Sequence, residues 1–68
     1  MNAKEIAIIR ALIAHRRAGR LRGVWCEAGR LRVELVDGHV FSARKPERYH
    51  RVLFAVEQQI ATARKAAA

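Results

Sequence analysis

Apolar residues recur at helical spacing at both ends of this chain and alternate with polar ones in the middle. Near the N-terminal end Ile6, Ile9 and Ile13, joined by Ile8 and Leu12, define a broad apolar helix face. Asn2 is a natural N-cap, and Glu5 three residues later completes a capping box. Gly19 stops the helix, with His15, Arg16 and Arg17 in the last turn, where the dipole favours positive charge. Ala7, Ala11, Ala14 and Ala18 form a second stripe on roughly the opposite side. A helix smooth on two sides is expected to be sandwiched, by its own fold or by a second subunit.

Between Arg20 and Ala43 the period changes to two. The run Arg30-Leu31-Arg32-Val33-Glu34-Leu35 puts Leu31, Val33 and Leu35 on one face of a half-buried strand. A strand from Leu21 to Glu27 precedes it across Ala28-Gly29, and one from His39 to Ala43 follows across Asp37-Gly38, a dipeptide that favours a tight type I′ hairpin turn. Pro46 then suits the first position of a second helix, with Glu47 next to it where negative charge is favoured. Tyr49, Val52, Leu53, Val56, Ile60 and Ala63 share one face of that helix. It is expected to run to Lys65 and to fray over Ala66 to Ala68. The pattern predicts one small α+β domain over residues 1–68: helix, three-stranded antiparallel β-meander, helix.

Two-residue turns would fix the register, because directly opposed residues point to the same side of a sheet. Glu27 then pairs with Arg30 and Trp25 with Arg32, leaving Val24 and Cys26 with Leu31 and Val33 on the core face. The other face collects Leu21, Trp25, Arg30, Arg32, Glu34, Val36, His39 and Phe41. A three-residue loop bulged at Gly38 would instead bring Phe41 beside Val33.

Size changes the picture first. A 68-residue chain buries only about 60% of its unfolded surface, so a homodimer is the expected state. Ala7, Ala11 and Ala14 on the first helix, and Phe54 off the main face of the second, are the candidate contacts. The single Cys26 offers no intrachain disulfide, which points to a reducing cytoplasm. It is expected to be a small core residue. The apolar stretch from Ile6 to Ala14 is too short for a membrane span and has the wrong charge order for a signal peptide, so no membrane partner is expected.

Charge changes it more. Fourteen Lys and Arg against six Asp and Glu leave +8, a field that seeks anions. Arg16, Arg17, Arg20 and Arg22 cluster around the end of the first helix, and Arg44, Lys45, Arg48 and Arg51 around the start of the second. Positive groups at a helix start oppose its dipole, so the second cluster is the better candidate for an external anion. On the central hairpin Arg30 and Arg32 sit near Trp25 and Phe41, the residue types that bind phosphates and stack bases in single-stranded nucleic acid. The expectation for Trp25 and Phe41 is nonetheless coverage by a helix or a second subunit, with Arg32 over the indole, because small domains seldom leave such aromatics exposed. His15, His39, His50 and Cys26 have the atoms for zinc but share no ligand spacing on one element, and no metal, cofactor or catalytic set is expected.

The first helix ending at Gly19-Arg20 and the hairpin through Ala28-Gly29-Arg30-Leu31-Arg32-Val33-Glu34 are similar, in order of elements only, to small basic phage head-to-tail joining proteins built as helix, β-hairpin and helix. The extra strand after Asp37-Gly38 departs from that pattern, and no functional residue carries over. The leading expectation is a non-enzymatic, dimeric nucleic-acid-binding module or regulator. Its alternative is a protein-interaction module, such as a phage-type structural adaptor or an inhibitor, that binds an acidic protein surface.

Overall fold

In a computed structural model, which describes residues 2–67, the chain forms helix α1 (Ala3–Arg17), strands β1 (Leu21–Glu27), β2 (Arg30–Leu35) and β3 (Val40–Ala43), a 3₁₀ turn (Pro46–Arg48) and helix α2 (Tyr49–Ala67). The α-β-β-β-α order is the one the hydrophobic pattern predicts. α2 is continuous through Ala67, and Ala68 lies outside the described residues. No helix among the described residues is long and apolar enough to cross a membrane.

Both ends of α1 are closed by the devices its sequence carries. Asn2 Oδ1 accepts from the Glu5 amide at 2.9 Å, and Glu5 Oε2 accepts from the Asn2 amide at 2.8 Å. At the other end Gly19 adopts φ 80°, its amide donates to Arg16 O, and the Arg20 amide donates to His15 O. Those two bonds form a Schellman motif, which needs a left-handed residue after the cap.

The sheet is antiparallel in the order β1-β2-β3. Ala28 and Gly29 both take positive φ, 52° and 79°, as a type I′ turn requires, and Glu27 pairs with Arg30, Trp25 with Arg32 and Cys26 with Leu31. The first turn therefore follows the two-residue register. The second does not. Leu35 and His39 are joined by an amide-to-carbonyl bond of 2.8 Å across a three-residue loop, Gly38 has φ 97°, and Phe41 pairs with Val33. Asp37 braces this loop by accepting from the His39 amide and ring and from Gln59 of α2. The backbone bond from His39, followed by the bond from its ring, holds the Asp37 carboxyl below the usual carboxylate range.

Three positions assigned from sequence to the outer face belong to the core face. Phe41 and His39 are moved there together by the Gly38 loop, Phe41 half-buried against the core and His39 stacked on its ring but exposed at the sheet's end. Leu21 is moved by an irregularity at Arg22, where β1 carries one extra residue, so that Leu21 opposes Leu35 and is only 4% exposed. Cys26 corrects the sequence expectation differently: it pairs with Leu31 and lies 3.4 Å from the Tyr49 hydroxyl, but it is exposed near the end of an edge strand.

Both helices pack on the same face, α1 against β1 and α2 against β2 and β3, and against each other. They run in the same direction: Glu5 and Ile8 lie beside Pro46, Glu47 and His50, while His15 reaches Glu57. Ile8, Leu12, Leu21, Leu31, Val33, Leu35, Ala43, Tyr49, Val52 and Val56 form the core. α1 is not sandwiched within this chain. Its buried residues are Ile8 and Leu12, with Ile9 half-buried and Ile6, Ala7, Ala14 and Ala18 exposed, because an α-helix over an edge strand is enclosed on only one side. On α2 the expected face is buried at Tyr49, Val52 and Val56, half-buried at Leu53 and Ile60, and exposed at Ala63, where the helix passes the sheet's end.

Tyr49 ties the layers together. Its ring is fully buried, its hydroxyl donates to Gly29 O at 2.7 Å, and Cys26 Sγ lies 3.4 Å from the same oxygen. Burial, and then the Cys26 thiol, push its phenol up to about 12. A proton held more tightly in the fold than in the unfolded chain gives stability that is full below about pH 10 and lost as pH rises towards 12. The chain has a single tyrosine, so tyrosinate absorbance in an alkaline titration is expected to rise late and together with unfolding; a normal phenol titration in the folded protein would contradict this. Tyr49→Phe leaves the Gly29 carbonyl without its partner and is expected to lose about 1–3 kcal/mol in denaturant unfolding. Ala28 holds a conformation that costs a non-glycine residue about 1–2 kcal/mol. Ala28→Asn, which tolerates it, should therefore raise the denaturation midpoint, by about 0.5–1 kcal/mol in stability.

Candidate nucleic-acid interface

Ala43 ends β3 pointing into the core, and the chain then has two residues before Pro46. Lys45 is extended at φ −135°, ψ 142°, as a residue before proline prefers, and makes no side-chain capping bond to the turn that follows. Arg48 closes the 3₁₀ turn and Arg51 lies in the first turn of α2, three residues further on. The result is a concavity of about 470 Å³ lined by Ser42, Ala43, Arg44, Lys45, Arg48 and Arg51. All four cations are solvent-exposed, and none forms an ion pair among the described residues. Glu47, the acidic residue of this turn, lines a different concavity, beside Asn2, Lys4 and Glu5. Like charges that line one concavity repel, so the cluster is locally unfavourable until an anion enters it.

The other basic cluster sits at the opposite end of the sheet, because α1 ends where α2 is already in its second half. Part of it is occupied. Arg20 donates to His15 Nδ1 at 3.1 Å, so the imidazole carries its proton on Nε2 and donates that to Glu57 at 3.2 Å. Arg22 pairs with Glu34 at 3.3 Å. Arg16 and Arg17 remain exposed at the helix end. The two clusters do not merge.

No helix covers the second face of the sheet. Trp25 lies there, 50% exposed, opposite Arg32, and with Glu27, Ala28, Arg30 and Arg32 it lines an open groove of about 610 Å³. The expected coverage of Trp25 by a helix is absent because both helices are spent on the other side. Phe41 is not beside it. Its ring stacks on His39, centroids 6.4 Å apart, on the far side of the sheet. Val40 takes the outward position opposite Glu34 that the two-residue register gives Phe41, and Ser42, which sequence reasoning passed over, stands outward opposite Arg32. The signal for it was the alternative bulged loop at Asp37-Gly38.

Of the candidate dimer residues, Ala7 and Ala14 are exposed, Ala11 is half-buried and Phe54 is 66% exposed. His15, His39 and Cys26 each have a different neighbour, Glu57, Asp37 and Tyr49 respectively. No group of three or more His, Cys, Asp or Glu side chains is placed to hold a metal among the described residues. Compared with known proteins, the chain matches no family model, no curated protein and no solved structure.

Proposed function

We propose that this protein is a binding module for nucleic acid, held by its phosphates at Arg44, Lys45, Arg48 and Arg51. The observation that carries the reading is that four cations share one concavity at the start of α2 with no acidic partner among the described residues. Phosphate supplies the missing counter-charge, and guanidinium groups take it through two parallel hydrogen bonds. Arg16 and Arg17, exposed at the far end, extend the positive field and would add to affinity without setting its location. The role is binding and not catalysis, as a regulator or packaging component of a reducing cytoplasm, where an exposed thiol such as Cys26 persists.

The proposal includes a homodimer formed over the outward side of the helices, through Ala7, Ala14 and Phe54. A phenyl ring 66% exposed on a chain this small supports it. Light scattering is expected to give twice the 7.7 kDa chain mass, returning to one chain in Phe54→Glu. A monomeric wild type at working concentration rules the dimer out.

Binding to oligonucleotides across a salt series tests the main reading. A steep negative log-log slope is expected, and changing Arg44, Lys45, Arg48 and Arg51 together to Gln should make it shallower by roughly 3, since each phosphate contact contributes about 0.7–0.9. Arg16→Gln with Arg17→Gln should change it less. No binding at low salt, or an unchanged slope in the four-residue variant with its circular dichroism intact, overturns the reading. An acidic polypeptide that binds in place of nucleic acid would favour a protein partner.

A further inference from the structure

We infer that the nucleic acid is single-stranded, and that it runs from the basic concavity across the uncovered sheet face to stack a base on Trp25. This rests on the nucleic-acid reading above and adds its substrate class and path.

The path follows from the β3 register. Trp25 opposes Arg32 and Arg32 opposes Ser42, so these three form one row across the outer face. Ser42 also lines the concavity that holds Arg44, Lys45, Arg48 and Arg51. The groove at Trp25 and the cationic concavity are therefore joined through Arg32 and Ser42, about 10 Å apart at two strand spacings. The acidic side chains on this face sit beside the row. Glu34 is held by Arg22 and Glu27 lies opposite Arg30, whereas Arg32 has an indole on one side and a serine on the other. Arg32 is exposed and in no ion pair among the described residues, free to meet a phosphate between the two sites.

The indole is laid flat. A methyl group built on Gly23 would stand 2.4, 2.6 and 3.0 Å from three consecutive atoms of the Trp25 six-membered ring. Such similar distances belong to a point above the ring, since a point beyond its edge would be much farther from the two flanking atoms. One face of the ring is therefore seated on the bare Gly23 backbone and the opposite face is turned outward, which fits a side chain that is 50% exposed. Gly23 is needed there because no other residue leaves room for the ring. A flat, half-exposed aromatic ring offers a stacking surface to a ligand with a free planar face. Unpaired bases have one, whereas duplex bases are covered by their neighbours.

The chain has one tryptophan, so its fluorescence reports this ring alone. A short oligothymidylate, a duplex of equal length and polyglutamate are titrated at one salt concentration, with labelled-probe anisotropy for affinity. The single strand is expected to quench Trp25 and to bind more tightly than the duplex. Trp25→Ala should weaken single-strand binding about 5- to 100-fold and leave duplex binding and the salt slope unchanged, with Trp25→Phe retaining part of the affinity. Gly23→Ala keeps the indole but unseats it, and should reproduce much of the loss. Equal binding of both nucleic acids, with no quench and no effect of Trp25→Ala, overturns the single-strand inference and leaves the phosphate site standing. Binding of polyglutamate alone overturns both.

Discussion

The hydrogen bond from the buried Tyr49 hydroxyl to the Gly29 carbonyl is the constraint on which the arrangement depends. Gly29 is the second residue of the β1–β2 turn and Tyr49 the first of α2, so one contact ties a hairpin tip to a helix start twenty residues later. Pro46 lies near Gly29 as well, where a methyl group on that glycine would be 3.7 Å from its ring. With the top of α2 pinned there, Val52 and Val56 descend onto β2 and β3, and Arg48 and Arg51 are left on the outside beside the end of β3. The phenol that makes this bond is deprived of water, which is why it resists ionisation.

One-sided packing is the second determinant. A three-stranded sheet offers two faces, and a chain of this size has apolar surface to cover one. Both helices lie on that face, and the other carries Trp25, Arg30, Arg32, Ser42 and Val40 together with Glu27 and Glu34. The charges divide accordingly. At the end of the sheet where α1 stops, Arg22 finds Glu34 and Arg20 reaches Glu57 through His15, whereas Arg16 and Arg17, like the cations at the start of α2, find no acidic partner among the described residues.

Much of this was legible along the chain because it is local. The Asn2-Glu5 box, the helix stop at Gly19, the two-residue turn at Ala28-Gly29 and the α2 face through Tyr49, Val52 and Val56 each depend on residues a few positions apart, and each is present in the fold, whereas the type I′ turn expected at Asp37-Gly38 is a three-residue loop. What went astray were positions that depend on a count of one. An extra residue at Arg22 turned Leu21 inward, and one more in the loop ending at Gly38 replaced His39 and Phe41 by Val40 and Ser42 on the outer face. Alternation of period two has no memory of such insertions, so a single bulge reverses every assignment beyond it.

The amino-acid sequence by itself determined the order of elements, their caps, the first hairpin register and the excess of positive charge, because propensity, periodicity and net charge act over short range or over the whole composition. Only the tertiary structure decided that both helices share one face, that the two arginine clusters lie at opposite ends, that Cys26 is exposed, and that Trp25, Arg32 and Ser42 stand in one row. Those outcomes follow from the competition to bury Phe41, Leu21 and Tyr49 in one small core, where each residue's place depends on all the others.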